Sequence, residues 1–260
     1  LKSGIVPLQG LKEALFAIHS SISTGKTWSN FKTLNNIKIK RNNRKSIKTY
    51  SEFHSKKILQ NYGIKIPRSI ISNSSNAIKN AKKIGFPVVL KINSKKIIHK
   101  TELKGVFTDI NSESKVRQSV KHLSKLGKEF LIEKMVEDKV TEMIIGIKVD
   151  EQFGPVIIIG SGGVYTELIN DSVTLLLPLK KSIVLNAINN LKISKLLNGY
   201  RGKARGDIKS LVETILKLGK FAEKNASKLI ETDINPLIIC TKGKGVIAAD
   251  ALIHYLEDIK

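Results

Sequence analysis

Carboxylate and amide side chains alternate along one segment near the C-terminus, Glu231-Thr232-Asp233-Ile234-Asn235-Pro236-Leu237. On a β-strand, residues two apart share a face, so Glu231, Asp233 and Asn235 are expected to point the same way. A hairpin turn at Lys242-Gly243 would place Asn235 opposite Asp250. Oxygen ligands of this kind suit a hard cation such as Mg²⁺, whereas a solvated edge strand is the simpler alternative.

Two further segments carry residues that could meet phosphate. Gly160-Ser161-Gly162-Gly163 follows the apolar run Val156–Ile159. Bare backbone N–H groups in such a loop approach phosphate oxygens closely, although a glycine turn between strands is the commoner structure. The segment matches neither a P-loop nor the usual dinucleotide fingerprint. Lys91 interrupts the apolar strand Val88–Ile92 and needs an anionic partner if it is buried, either a nucleotide phosphate or a carboxylate.

A histidine lies in the polar loop that follows this strand. His99 is flanked by Lys95, Lys96 and Lys100, which favour a nearby phosphate. An isolated loop histidine is otherwise simply solvated.

Length and composition limit the class of protein. The chain has 260 residues, 41% of them hydrophobic and 26% charged, as in ordinary globular domains. The single cysteine, Cys240, excludes a disulfide scaffold and a four-thiolate zinc site and fits a reducing, cytoplasmic compartment. No apolar run is long enough to predict a membrane span. The start Leu1-Lys2-Ser3 lacks methionine and predicts a piece cut from a longer chain or precursor.

The net charge of +23 suggests a nucleic-acid partner at first sight. Lysine, however, accounts for 39 of the 45 basic residues and is spread along the whole chain, together with 37 isoleucines and 18 asparagines. Arginine, the usual base-reading residue, occurs only 6 times. We therefore favour compositional drift over a nucleic-acid-binding function.

Local patterns predict an α+β protein with adjacent antiparallel strands. Leu11, Ala14, Leu15 and Ile18 fall at helical spacing in a small unit at 1–20, and residues 21–50 read as an exposed basic linker. From Ser51 onward, helices and strands alternate. Predicted helices cover 51–62, 75–84, 112–126, 182–191 and 207–223, and predicted strands cover 88–92, 105–110, 130–135, 142–149, 156–159, 228–234, 237–240 and 246–251.

Several of these motifs occur together and in order. They are Gly85-Phe86-Pro87-Val88-Val89-Leu90-Lys91-Ile92, Ile98-His99-Lys100-Thr101, Phe153-Gly154-Pro155-Val156, Gly160-Ser161-Gly162-Gly163, Gly199-Tyr200-Arg201-Gly202 and the segment 231–237. In this combination, from about Ser51 to Ile253, the chain resembles the ATP-grasp domain of NDP-forming acyl-CoA synthetases, of which succinyl-CoA synthetase is a more distant relative. The resemblance implies two α+β lobes, about 51–128 and 129–260, with the nucleotide between antiparallel sheets.

The resemblance also implies roles for individual residues, with ATP or ADP and Mg²⁺ as cofactors. Lys91 resembles the phosphate-contacting lysine, Glu133 and Val136 the adenine hinge, and Glu142 the carboxylate on the ribose side. Gly162 and Gly163 lie in the glycine loop, and Asp233 lies beside the presumed Mg²⁺ ligands Asn235 and Asp250. His99 resembles a histidine that receives phosphate from the phosphohistidine of a partner ligase domain.

By the same resemblance, the chain is the nucleotide-binding part of an acid–thiol ligase. The reaction converts carboxylic acid, CoA and ATP reversibly into acyl-CoA, ADP and phosphate through phosphohistidine. The CoA-binding and ligase domains would belong to the same chain or to a partner subunit, and residues 1–20, with Gly4-Ile5-Val6-Pro7, resemble the tail of the ligase domain. Alternatives are an inactive or regulatory half of a protein acetyltransferase and a non-enzymatic nucleic-acid binder.

Two positions depart from the family pattern. Lys104 stands where relatives often have glycine, and Leu175 stands where an arginine commonly precedes Pro178-Leu179. Lys104 is expected to stiffen its loop, and Leu175 removes one candidate phosphate contact.

Overall fold

The computed structural model of the chain describes residues 10–29, 45–94, 100, 102–163 and 171–258. The chain divides into two units, Leu1–Asn36 and Ile37–Lys260. In the described part of the first unit, helix α1 spans Leu11–Ser29, so the helical spacing within the predicted unit 1–20 is confirmed and the helix continues nine residues beyond that unit. Its large apolar side chains Leu11, Leu15 and Phe16 are exposed.

In the part of the second unit that the structure describes there are eleven strands, all paired antiparallel, which confirms the α+β class. Its strands are β1 (Lys45–Thr49), β2 (Ser69–Ser72), β3 (Val88–Ile92), β4 (Val106–Ile110), β5 (Phe130–Lys134), β6 (Lys139–Asp150), β7 (Gly154–Ser161), β8 (Ser172–Leu176), β9 (Leu229–Cys240), β10 (Val246–Ala248) and β11 (Leu252–Asp258). Its helices are α2 (Glu52–Asn61), α3 (Ala77–Ile84), α4 (Glu113–Leu123), α5 (Lys181–Asn190), α6 (Ser194–Leu197) and α7 (Ile208–Asn225).

The strands form two sheets. The smaller sheet has the order β2-β5-β3-β4, and the larger has the order β1-β11-β9-β6-β7-β8 with β10 paired to β9. Helices α3 and α4 cover the smaller sheet through a core that includes Ala81, Val116 and Leu123. The larger sheet packs its apolar face against α5 and α7, since Ile145 and Ile157 share a core with Leu211 and other helix residues.

The lobe boundary differs from the predicted division at 128 and 129. Strand β5 pairs with β2 and β3, so it belongs to the smaller sheet. Helix α2 contributes Leu59 to the core of the larger sheet, although it precedes the smaller sheet in the chain. Each sheet therefore draws on both sides of the predicted boundary, because the core that buries an element decides where it belongs.

The predicted basic linker at 21–50 also differs from the structure at both ends. Helix α1 continues to Ser29, and β1 pairs along its length with β11, from Lys45 opposite Asp258 to Thr49 opposite His254. Residues 30–44 lie outside the described ranges. Strand β1 escaped prediction because a basic, polar strand at a sheet edge lacks the apolar alternation that marks a strand.

Candidate active site

One face of the larger sheet is apolar and covered, and the other carries polar side chains. Along β9, Thr232 and Ile234 are buried, whereas Glu231, Asp233 and Asn235 are exposed. The expected alternation along this strand is therefore confirmed. Strand β6 alternates in the same way, because Met143, Ile145 and Ile147 enter the core and the residues between them do not. A cavity of about 480 Å³ opens on the polar face, and its lining includes Gly146, Lys148, Glu231, Asp233 and His254.

The hairpin register agrees with the prediction from its turn. Residues 249–251 separate β10 from β11. On the β10 side, Val246 pairs with Ile239 and Ala248 with Leu237. Leu252 pairs with Asp233 on the other side in the same register. Asn235 and Asp250 thus occupy opposite positions, and the Ala249 N–H donates to the Pro236 carbonyl beside them at 3.0 Å.

Asp233 and Asp250 lie in an environment that disfavours two negative charges. Desolvation, followed by the charges of Asp250 and Glu231, raises the pKa of Asp233 to about 6. Burial and the charge of Glu52 likewise raise the pKa of Asp250, although three lysines oppose the shift. A cation at this point would stabilise both carboxylates in their ionised form, so the residues present fit a bound Mg²⁺.

Lys91 lies in a cluster of buried charges. Its Nζ is 2.7 Å from Glu52 Oε1, 3.0 Å from Glu133 Oε2 and 2.7 Å from the carbonyl oxygen of Ala249. These three acceptors match the three N–H donors of an ammonium group. Desolvation opposes the charged form, but the Glu133, Glu52 and Asp250 carboxylates outweigh it and raise the pKa of Lys91. Lys91 is therefore a fixed cation.

Lys56 is bound to the same acceptors from the other side. Its Nζ lies 2.6 Å from Glu52 Oε1, 2.5 Å from Glu133 Oε1 and 3.0 Å from the Ala249 carbonyl oxygen. The side chain of Lys56 is fully buried. The two lysines thereby tie α2, the smaller sheet and the 249–251 segment of the larger sheet together.

Lys100 extends the cluster to the predicted metal ligand. Its Nζ bonds to Glu52 Oε2 and lies 3.1 and 3.3 Å from the two carboxylate oxygens of Asp250. Three ammonium groups thus face three carboxylates, and we call these six residues the charged cluster: Glu52, Lys56, Lys91, Lys100, Glu133 and Asp250. The carboxylate of Glu52 is ionised there, because the three lysines outweigh its desolvation and lower its pKa.

Glu52 and Lys56 were absent from the candidate residues of the sequence analysis, and Lys100 appeared there only as one of the lysines flanking His99. A signal existed for the first two, because Glu52, Ser55, Lys56 and Leu59 form one buried helical stripe. Two opposite charges on the buried face of a helix indicate an ion pair inside the protein rather than a solvated surface pair. For Lys100, the sequence gives only its position beside His99.

The structure brings Glu142, Gly162 and Gly163 together at a second cleft. The Gly162 N–H donates to the Glu142 carbonyl at 2.9 Å, and a Cβ on Gly162 would lie 2.9 Å from the Glu142 main chain. Only glycine fits this close approach. The cleft, about 460 Å³, is also lined by Tyr200 and Lys203, and the Glu142 carboxylate is 3.0 Å from Lys139 Nζ.

The remaining predicted residues fall elsewhere. Val136 lies in the segment between β5 and β6 that links the two sheets, and Glu133 carries its carboxylate into the charged cluster. His99 lies outside the described residues. Leu175 is buried in the core of the larger sheet, where an arginine would lose hydration. Lys104 adopts a positive φ of 51°, a conformation that glycine takes without strain.

The part of the chain that the structure describes contains no preformed metal centre built from charged side chains alone. Across residues 10–29, 45–94, 100, 102–163 and 171–258, no three His, Cys, Asp or Glu side chains are grouped as ligands. The candidate magnesium ligands are the Asp250 carboxylate and the Asn235 amide, with Asp233 beside them, a set that would leave coordination positions for substrate phosphates and water.

None of the described helices combines the length and the apolar character that crossing a bilayer requires.

Comparison with known proteins gives consistent matches. Residues 41–254 match the family model described as an ATP-grasp domain. The 4-hydroxybutyrate–CoA ligase [ADP-forming] of Nitrosopumilus maritimus is 36% identical over 212 residues, which is 78% of this chain and 30% of that protein. The beta subunit of acetate–CoA ligase [ADP-forming] I of Pyrococcus furiosus is 32% identical over 72% of this chain and 84% of the subunit.

A solved structure shows the same fold. Dinucleotide forming acetyl-coenzyme A synthetase 1 of Ca. Korarchaeum cryptofilum, in complex with coenzyme A and Mg-AMPPCP, superposes with a TM-score of 0.70 at 32% identity. The match covers 79% of this chain and 92% of that one, and its phosphohistidine segment points towards the nucleotide binding site. The chain spans about 30% of the length of the first curated relatives that it matches.

Proposed function

Because the chain belongs to the ATP-grasp domains of the ADP-forming acyl-CoA ligases, we propose that it is the nucleotide-binding part of an NDP-forming acyl-CoA synthetase. The complete reaction would convert carboxylic acid, CoA and ATP into acyl-CoA, ADP and phosphate. This membership favours a ligase over the nucleic-acid-binding alternative.

The observation that carries the proposal is the link between Lys91 and Asp250. Both the cation proposed for the phosphates and the carboxylate proposed for Mg²⁺ belong to the charged cluster, and Lys91 also bonds to Ala249, next to Asp250 in the chain. A nucleotide phosphate that reaches Lys91 must replace one of its three present acceptors. The phosphate would therefore bind with its oxygens close to the proposed metal ligands.

Asp250 and Asn235 would hold the Mg²⁺, with Asp233 beside them, and the ion would neutralise charge on the phosphate oxygens. Glu142 would accept hydrogen bonds from the ribose, and Glu133 and Val136 would flank the adenine. The main task of these groups is positioning and electrostatic stabilisation, as expected for phosphoryl transfer.

We assign His99 the phosphoryl relay. A neutral imidazole nitrogen would attack the terminal phosphorus, the bond from phosphorus to the ADP oxygen would break, and ADP would leave with that electron pair. Histidine suits this role because its reference pKa of about 6.5 leaves much of it neutral near pH 7. In the reverse direction, the histidine would take the phosphoryl group from the partner ligase domain.

The partners would be CoA-binding and ligase domains, in the same chain or in a separate subunit, which would bring the carboxylic acid and CoA. The cytoplasmic location remains a prediction from the single cysteine.

Calorimetry with ADP and Mg²⁺ tests the nucleotide site directly. Asp250→Asn removes one anionic oxygen ligand, and we expect it to weaken Mg·ADP binding about tenfold or more. Glu151→Gln removes an exposed carboxylate of the same charge and should leave the affinity unchanged. Equal affinity in the wild type and in Asp250→Asn would remove Asp250 from the site.

A further inference from the structure

Lys100 is held differently from the other two lysines of the charged cluster. Lys56 and Lys91 each bond to Glu52, to Glu133 and to the Ala249 carbonyl oxygen. The ammonium group of Lys100 instead bonds only to two carboxylates in the cluster, Glu52 and Asp250. Lys100 is thus the cation that compensates Asp250 directly.

The two carboxylates differ in how accessible they are. The side chain of Glu52 is 1% exposed, whereas that of Asp250 is 29% exposed. A divalent ion arriving from solvent can therefore reach Asp250 but not Glu52. The distances of 3.1 and 3.3 Å between Lys100 Nζ and Asp250 are also longer than the usual 2.7–2.9 Å of a charge-assisted bond.

Charge balance favours an exchange at Asp250. The cluster has three positive and three negative groups, so it is neutral before any ligand binds. An arriving nucleotide brings several negative charges, and a divalent ion brings two positive charges where Lys100 supplies one. If the ion takes Asp250, the Lys100 ammonium keeps Glu52 and gains free donors for a phosphate oxygen.

We propose that Lys100 is an internal counter-cation of Asp250, which a divalent metal displaces, and that the displaced ammonium then contacts the nucleotide phosphate. The proposal rests on the proposed nucleotide function and names Lys100 as a second phosphate-binding cation beside Lys91. It predicts opposite effects on two equilibria: Lys100 competes with the metal alone but assists the metal–nucleotide complex.

Titration of the full chain with Mn²⁺ alone and with Mg·ADP separates these effects. In Lys100→Gln, we expect the affinity for Mn²⁺ alone to rise about fivefold or more, because a competing charge next to Asp250 is lost. The affinity for Mg·ADP should fall about tenfold, because a phosphate contact is lost. Lys104→Gln removes an exposed lysine four residues away and should change neither value by more than about twofold.

Circular dichroism and thermal melting show whether each variant is folded. An unchanged or weaker Mn²⁺ affinity in folded Lys100→Gln would overturn the proposal, and so would an equal change in Lys104→Gln. If Lys100→Gln does not fold, Lys100→Arg keeps the charge and must bind Mn²⁺ no more tightly than the wild type; tighter binding would overturn the proposal. Absence of Mg·ADP binding in the wild type would instead count against the nucleotide function itself.

Discussion

The ammonium nitrogen of Lys91 lies 2.7 Å from the main-chain carbonyl oxygen of Ala249, although 158 positions separate the two residues. Lys91 belongs to the smaller sheet, and Ala249 follows β10 at the larger sheet. Lys56 donates to the same oxygen at 3.0 Å. A single carbonyl group thus connects the two sheets through two cations. Substitutions at these lysines therefore affect the stability of the fold as well as the candidate site.

Lys56→Met should destabilise the protein strongly. Lys56 is fully buried, so its removal leaves the buried carboxylates of Glu52 and Glu133 short of a cation. Breaking a buried ion pair in this way costs about 3–5 kcal/mol. Urea unfolding measures the loss. Lys57→Met, at the exposed neighbouring position, should change the free energy of unfolding by less than about 0.5 kcal/mol. Similar losses in both variants would contradict the buried role of Lys56.

His99→Asn should abolish phosphorylation of the chain. With Mg²⁺ and ATP labelled in the γ-phosphate, the wild type should form an acid-labile, base-stable adduct, because a phosphorylated imidazole has that stability. His122→Asn, on α4, serves as the matched histidine control and should retain the adduct. An adduct that persists in His99→Asn would refute the relay role. If the wild type forms no adduct by itself, the ligase part is added and the labelling is repeated. The relay role is also refuted if no adduct forms in either experiment.

Asp207→Asn should weaken the fold in a pH-dependent way. Asp207 caps α7 by accepting from the Ser210 N–H at 3.1 Å, and it also accepts from the Gly243 and Gly245 N–H groups at 3.1 and 2.9 Å. Desolvation alone would raise its pKa, but these bonds outweigh it and lower the pKa. At pH 7 we expect Asp207→Asn to lose about 1–3 kcal/mol of unfolding free energy.

The sign of the pH dependence follows from the lowered pKa of Asp207. The ionised carboxylate stabilises the fold above the unfolded pKa of about 4, and the stabilisation is lost as the pH falls towards the lower folded value. The free energy of unfolding, measured with urea, should therefore differ less between the wild type and Asp207→Asn at pH 3 than at pH 7. Glu213→Gln, an exposed position on the same helix, should show no such trend. A constant difference would mean that the charge of Asp207 contributes nothing.

Lys104→Gly should leave the free energy of unfolding unchanged or raise it by up to about 1.5 kcal/mol. The φ of 51° at Lys104 costs an L-residue about 1–2 kcal/mol, and glycine avoids this cost but loses about 0.5–1 kcal/mol through its freer unfolded chain. In contrast, Lys121→Gly inside α4 should cost about 1 kcal/mol. Thermal melting of both variants measures these changes in stability. A clear loss of stability in Lys104→Gly would show that the Lys104 side chain makes a stabilising contact.

The sequence predicted those features that depend on local pattern. Helices α2 and α7 lie within two residues of their predicted bounds, and the turn at Lys242-Gly243 correctly fixed the register around Asn235 and Asp250. These predictions are correct because the spacing of apolar residues in a helix and the residues of a short turn are both local features of the sequence.

The features that escaped prediction depend on contacts distant in sequence. Glu52 and Lys56 resemble an ordinary surface pair at i and i+4, but in the fold they are buried and form ion pairs with Lys91 on β3 and Glu133 on β5. Strand β8 was missed as well, although Leu175 on it enters the core. When a charged residue is buried by elements that are distant in sequence, its neighbours in the chain give almost no indication of that burial.

The short turn between β9 and β10 also restricts how this protein can vary during evolution. One residue inserted between Cys240 and Val246 would slip the pairing and turn Asp250 away from Asn235, because a one-residue shift reverses the face of every side chain. Insertions and deletions should therefore be tolerated in other surface connections of the domain and eliminated here. The length of this turn, together with the glycines at positions 243 and 245 whose φ angles are positive, is what selection would preserve.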